Sequence, residues 1–152
     1  MMIKKLVAVS LAVGIATASF AGGHGGNPAV DARQAHMKLY GFNLGILGGM
    51  ARGNAEYDAE MASAAAANMA ALVKLNQSAY WPMGSDNASI EGTRALPALW
   101  ENFGDVMKIS GDFVAAAENL AAVAGNGLEA LQGAIGPVGG ACGACHKAYR
   151  AP

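Results

Sequence analysis

The chain has 152 residues, of which 53% are hydrophobic and 14% are charged, and its formal net charge is −1. This length suits a single domain. The ten basic residues form no patch or stripe along the chain, so the composition argues against a nucleic-acid partner.

The N-terminal segment is predicted to be an export signal. Its start is basic, residues 6–20 are apolar or small, and Ser19 and Ala21 are small residues at the two positions that a signal peptidase recognises. We therefore expect a signal peptide over residues 1–21, a mature domain over residues 22–152 and a periplasmic location. A transmembrane anchor is the alternative, but the apolar run is short and no basic stop follows it. Cleavage leaves eight basic against eleven acidic residues, a mature net charge of −3.

The mature chain shows apolar residues at three- and four-residue steps, which predicts helices rather than strands. The helices are expected over residues 28–52, 57–77, 96–124 and 128–149, with Pro137 kinking or restarting the last one. A long loop over residues 78–96 joins the second helix to the third. The predicted fold is all-α, an antiparallel four-helix bundle. Its predicted inward faces include Met37, Met61, Leu75, Phe103 and Met107.

The chemistry of the chain is predicted to lie near its C-terminus, in Cys142-Gly143-Ala144-Cys145-His146. This is the C-x-x-C-H pattern of covalent haem attachment. Positions i, i+3 and i+4 of a helix share one face. The two thiols can therefore form thioethers with one haem c, and the imidazole of His146 can bind its iron.

The cysteine pair has two other interpretations. A disulfide would suit an oxidising compartment, but a redox-active C-x-x-C needs a preceding strand and a βαβ setting that the sequence lacks. Zinc would need further ligands. Of the other histidines, His24 lies in a glycine-rich tail and His36 is one residue away from the predicted inward stripe.

Two segments resemble the class II cytochromes c, the family of cytochrome c′ and its low-spin c-556-type relatives. The segment from Cys142 to Arg150 is similar to the family's terminal signature, and the segment from Arg33 to Lys38 is similar to its first-helix signature. The resemblance covers essentially the whole mature chain. It implies a four-helix bundle with one covalent haem held at the C-terminal helix, and pairing of two chains through their first two helices.

The resemblance also implies roles for single residues. Arg33 and Gln34 match positions that contact haem propionates, where a guanidinium can form charge-assisted hydrogen bonds. Arg94 falls near a position at the haem edge, with Thr93 as a neighbouring candidate. Arg150 is expected beside the proximal imidazole. Plain alternatives are a solvated helix charge for Arg33 and a cation that offsets the helix dipole for Arg150.

Met37 lies opposite the attachment motif in this scheme and decides the function. If its sulfur binds iron, the His–Met pair raises the reduction potential and suits electron transfer. If Met37 only packs over the ring, the iron is five-coordinate and binds a small gas. Family members of both kinds carry methionine here. His36 is a less suitable ligand, because it points about a quarter-turn away on the helix.

The sequence thus predicts a periplasmic one-electron carrier that binds redox partner proteins. Because the mature chain is negatively charged, partners with a basic face are favoured. The alternative is a five-coordinate protein that binds nitric oxide or carbon monoxide. An enzyme such as a peroxidase finds little support, because no distal His–Arg pair with catalytic spacing is visible.

Overall fold

The computed structural model describes residues 26–152, so the predicted signal peptide and its cleavage site lie outside the described residues. These residues form five helices and no extended strand: α1 (Pro28–Ala51), α2 (Ala59–Val73), α3 (Ala98–Glu101), α4 (Phe103–Val123) and α5 (Leu128–Tyr149). Helices α1, α2, α4 and α5 pack as an antiparallel four-helix bundle, which confirms the predicted fold class. Within residues 26–152, no helix is both long enough and apolar enough to span a membrane.

Side chains and glycines set the helix ends. Asn27 caps α1 by accepting from the backbone N–H groups of the first turn, and Pro28 follows at the first helical position. Asp58 caps α2 by accepting from Met61 N at 2.8 Å. Gly127, with φ of 121°, turns the chain between α4 and α5 in a conformation that residues with a Cβ rarely adopt.

The boundaries differ from the predicted ones in the middle of the chain. Helix α2 ends at Val73 rather than near residue 77, and the expected helix over residues 96–124 is interrupted. Asn102 leaves the helical region with φ of −120° and ψ of 43°, so a single turn (α3) precedes α4. The Asn102 amide donates to Ala98 O at 2.9 Å and closes that turn. Helix α5 passes through Pro137 as one helix.

The main hydrophobic cluster lies toward one end of the bundle, and at the other end Val30 and Tyr149 are buried apart from it. The cluster's fully buried large side chains are Leu47, Met69, Leu120, Leu131 and Val138. No residue of α4 before Ala117 is buried, and none of α5 between Val138 and Tyr149 is. The short α2 explains this, because it stops before it can cover the first half of α4. We call residues 28–39 of α1, 103–112 of α4 and 139–149 of α5 the open end.

Several residues predicted to face inward are therefore exposed. Met37, Phe103 and Met107 lie at the open end, with 38%, 61% and 54% of their surfaces exposed. Met61 and Leu75 are about half exposed on α2 and just beyond it. The helical period was correctly predicted, but it does not show how far along each helix the protein core extends.

Candidate haem site

The attachment motif lies in the last two turns of α5. Cys142, Cys145 and His146 sit at i, i+3 and i+4 of one continuous helix, and all three are partly buried. The two thiols are not bonded to each other. Across residues 26–152, no group of three or more His, Cys, Asp or Glu side chains is placed to hold a metal ion.

Burial sets the protonation of these three groups. It raises the pKa of both thiols, and so keeps them in the protonated form at neutral pH. Burial also lowers the pKa of His146, and the positive charges of Arg150 and Arg94 lower it further. The imidazole is therefore neutral at pH 7, the form that can bind iron through a ring nitrogen.

The open end has the lining that a flat apolar cofactor requires. Its floor is the aromatic pair Tyr40 and Phe113, whose ring centroids are 5.1 Å apart across α1 and α4. Burial raises the pKa of Tyr40 to about 12, the Gln77 amide opposes this, and Cys142 lies close enough to add to it. A Cβ added at Gly41 or Gly143 would meet no atom within 4 Å. Thiols, exposed apolar side chains and open glycine faces at one end of the bundle fit a covalently held haem.

Arg33 lies deep inside this end, with only 3% of its surface exposed. Its Nη1 donates to Ser85 Oγ at 2.8 Å and to Tyr80 O at 3.4 Å. Its Nη2 donates to Ser85 O and to Thr93 Oγ1. Burial lowers the pKa of the guanidinium, and the charge of Asp86 partly offsets this. The structure thus places Arg33 against the long loop, and its contact with a propionate stays a prediction.

The other predicted site residues gather around the same loop and the C-terminus. Gln34 Nε2 donates to Gly92 O at 2.7 Å. Arg94 Nε donates to Ala151 O at 3.0 Å. Arg150, whose N donates to His146 O at 3.2 Å, follows α5 directly. The roles predicted for these side chains toward a haem stay predictions.

His36 is buried against the rings of Tyr40 and Tyr80, and its unsuitability as an iron ligand stays a prediction. It is 5% exposed, with its ring centroid 4.5 Å from that of Tyr40 and 5.8 Å from that of Tyr80. Its buried Nε2 has no hydrogen-bond partner among the described residues. Burial lowers the pKa of His36, and the Leu72 carbonyl partly opposes this.

Sequence reasoning missed the residues that hold the loop. Ser85 is 1% exposed and accepts two of the four hydrogen bonds that the Arg33 guanidinium donates. Trp81 and Trp100, the two tryptophans of the chain, both lie beside the same guanidinium. The presence of Trp81 among turn residues was the one available signal, since a large aromatic ring in a loop usually packs against something.

Comparison with known proteins places these features in context. A family model described as Cytochrome C′ matches residues 28–150. A cytochrome c-554 from Cereibacter sphaeroides is 44% identical over 122 residues, which cover 80% of this chain and 79% of that protein. The solved structure of a cytochrome c′ from Rhodobacter spheriodes superposes with a TM-score of 0.79 at 33% identity, covering 80% and 94% of the two chains.

One further solved structure is informative about ligands. It is a ferrous variant of cytochrome c′ from Alcaligenes xylosoxidans with nitric oxide bound. It superposes with a TM-score of 0.70 at 29% identity, over 81% of this chain and 94% of that one.

Proposed function

Because the chain belongs to the cytochrome c′ family and is a haem c protein, we propose that it carries single electrons in the periplasm. A covalently bound haem supplies an iron that alternates between the ferric and ferrous states. One observation carries the proposal: the protein core stops short of the C-x-x-C-H turns of α5, while the Met37 thioether stays exposed on α1 at the same end. The domain is residues 22–152, after removal of a signal peptide over residues 1–21.

The attachment turns hold the cofactor in this proposal. Cys142 and Cys145 would hold the haem as thioethers, each by adding its S–H across a vinyl group, with sulfur bonded to one carbon and hydrogen to the other. His146 is the proximal ligand, supported by its neutral imidazole on the same helical face. The single motif in the sequence supports one haem c per chain.

Met37 is the proposed distal ligand. Its side chain is 38% exposed although it belongs to an apolar stripe of α1, and an unbranched thioether can swing over a wide arc. A His146–Met37 pair would favour the ferrous state and make both oxidation states six-coordinate. Little rearrangement would then accompany electron transfer.

Binding of nitric oxide or carbon monoxide is the second candidate function. The partial exposure of Met37 favours it, because a side chain with few protein contacts is easily displaced from a ligand position. The similar cytochrome c′ with nitric oxide bound supports the same candidate. Neither candidate makes the protein an enzyme.

The visible spectrum of the reduced protein before and after addition of carbon monoxide distinguishes the two candidates. We expect a low-spin spectrum that resists carbon monoxide, and Met37→Ala should turn it into a high-spin spectrum that shifts at once. Met61→Ala is the matched control, because Met61 is a half-exposed methionine on α2. A high-spin spectrum in the unmutated protein would overturn Met37 ligation and favour gas binding.

The surroundings of the site suggest how partners meet it. Gln34 and Arg94 are hydrogen-bonded to Gly92 O and Ala151 O, and Arg150 follows α5 directly. In this proposal the three side chains face the propionates or the haem edge. The mature net charge of −3 favours redox partner proteins with a basic face. Leu39 and Phe42 leave large apolar surfaces exposed on α1, which supports a homodimer through the first two helices.

A further inference from the structure

Arg33 is hydrogen-bonded to both halves of the loop that joins α2 to α3, in which Ser78–Tyr80 form a short 3-10 turn. Its two terminal nitrogens donate four hydrogen bonds, two to Ser85 and one each to Tyr80 O and Thr93 Oγ1. Ser85 and Thr93 are eight positions apart in the loop, and both are buried. We call Arg33, Ser85 and Thr93 the loop clamp.

Two tryptophan rings lie beside the Arg33 guanidinium of the loop clamp. The guanidinium carbon lies 5.0 Å from the ring centroid of Trp81 and 6.0 Å from that of Trp100. Trp100 Nε1 donates to the backbone oxygen of Trp81 at 3.1 Å, which ties the Trp100 ring to the long loop. A flat cation beside aromatic rings is held by both its charge and its planarity, and an ammonium cannot reproduce the planarity.

The loop is tied in turn to the chain just beyond His146. Leu96 N donates to Tyr149 O at 2.9 Å, and Ala151 N donates to Arg94 O at 2.8 Å. Ala95 and Arg150 form an antiparallel bridge between these two bonds. The loop clamp is hydrogen-bonded to this bridge, because Thr93 Oγ1 also accepts from Ala95 N at 3.3 Å.

From this continuous path we propose that Arg33 is a positioning residue, which fixes the segment behind the proximal ligand His146 by way of the long loop. Arg33 lies one helical turn before Met37 on α1. The path therefore connects the helix that bears the proposed distal ligand to the end of the helix that bears the proximal one. Only the effect on iron rests on the proposed function; the effect on the bridge does not.

Hydrogen exchange of the haem-loaded protein tests the path. In Arg33→Lys and in Thr93→Val, the amides of Leu96 and Ala151 should exchange roughly tenfold faster than in the unmutated protein. The amide of Leu120, in the core of α4, should keep its rate. Tyr57→Phe is the control, because it removes bonds to Ala124 O and Gly127 N at the opposite end of the bundle and should leave Leu96 and Ala151 unchanged.

A second measurement reports on the ligand itself. The iron–histidine stretching frequency of the reduced protein with Met37→Ala, which opens the distal side, should shift when Arg33→Lys is added and stay constant when Tyr57→Phe is added. A frequency that Arg33→Lys leaves unchanged would overturn the effect on His146.

The exchange results can also overturn the proposal in two ways. Equal acceleration of Leu96, Ala151 and Leu120 in Arg33→Lys would make Arg33 a general stabiliser rather than a positioning residue. The amides of Leu96 and Ala151 could exchange faster in Arg33→Lys but not in Thr93→Val. That result would show that the guanidinium has another partner in the loaded protein, for example a propionate. Both results are independent of whether Met37 binds iron.

Discussion

Tyr149 links two helices at the open end through one short hydrogen bond. Its hydroxyl donates to Asp105 Oδ2 at 2.6 Å, which joins the last residue of α5 to the first turn of α4. That bond is the main cause that raises the pKa of Tyr149 from 10.0 to about 12, with burial second. The bond therefore links stability to pH in the alkaline range.

The sign of this linkage follows from the raised pKa. The folded protein holds the phenolic proton more tightly than the unfolded chain, so the contribution is complete below pH 10 and is lost as the pH rises through about 12. We predict that the free energy of unfolding of Tyr149→Phe falls less steeply over this range than that of the unmutated protein. Denaturant unfolding at a series of pH values measures this slope.

Asp105→Asn provides the matching variant, because it keeps the phenol and removes the charged acceptor. Its slope should resemble that of Tyr149→Phe. A slope that neither substitution changes would show that the Tyr149–Asp105 bond does not control the alkaline titration.

Single residues of the site differ in how far the sequence could identify them. Cys142, Cys145 and His146 are adjacent in the chain, so their spacing alone placed them on one helical face. The partners of Arg33 are 47 to 60 positions away, in a loop without periodicity. No local pattern can identify such partners, because the loop's path depends on the packing of Trp81 against Trp100.

At the scale of elements, the start of α1 leads to Met37, the proposed distal ligand. Asn27 Oδ1 accepts from Ala29 N at 3.0 Å and from Val30 N at 3.4 Å. We predict that Asn27→Ala lowers the free energy of unfolding by about 1 kcal/mol, because two N–H groups of the first turn lose their acceptor. Denaturant unfolding measures this loss.

Asn27→Asp is the control, since a carboxylate keeps the acceptor and is favoured at a helix N-terminus. It should retain the stability of the unmutated protein. A loss of stability in Asn27→Asp equal to that in Asn27→Ala would mean that packing of the Asn27 amide, rather than capping, stabilises α1.

The elements themselves were largely predictable, and their interruptions were not. The Asn27-Pro28 start and the Gly125–Gly127 link are local signals, and the structure has helix ends at both. The break at Asn102 has no comparable signal, because apolar spacing continues from Leu99 to Phe103. The break lies beside Trp100, whose indole N–H donates a hydrogen bond to Trp81 O in the long loop.

At the scale of the whole molecule, the bundle divides into a core end and the open end. Apolar residues that face a cofactor and apolar residues that face a core follow the same helical period, so Met37, Phe103 and Met107 were predicted to be buried. The amino-acid pattern therefore identifies the bundle, and the exposure of these residues identifies the part of it that the protein does not fill.

This division predicts how the chain behaves without its cofactor. Cys142→Ser/Cys145→Ser removes covalent attachment but leaves the core around Leu47, Met69 and Leu120 intact. We expect this variant to stay helical and to unfold with a free energy lower by about 3 kcal/mol, because it loses the stabilisation that a tightly bound ligand gives the folded state. Circular dichroism and denaturant unfolding measure the two quantities.

Hydrogen exchange shows which part of the bundle loses stability in this variant, because the two ends of the bundle depend differently on the cofactor. Amides of residues 103–112 and 139–148 should exchange much faster in Cys142→Ser/Cys145→Ser than in the loaded protein, since these turns have no buried residues of their own. Amides around Leu120 should stay protected. The chain with both cysteines intact but produced without haem attachment is the control, and it should match the double variant. Loss of protection at Leu120 as well would contradict the prediction, since the core end would then depend on the haem for its folding.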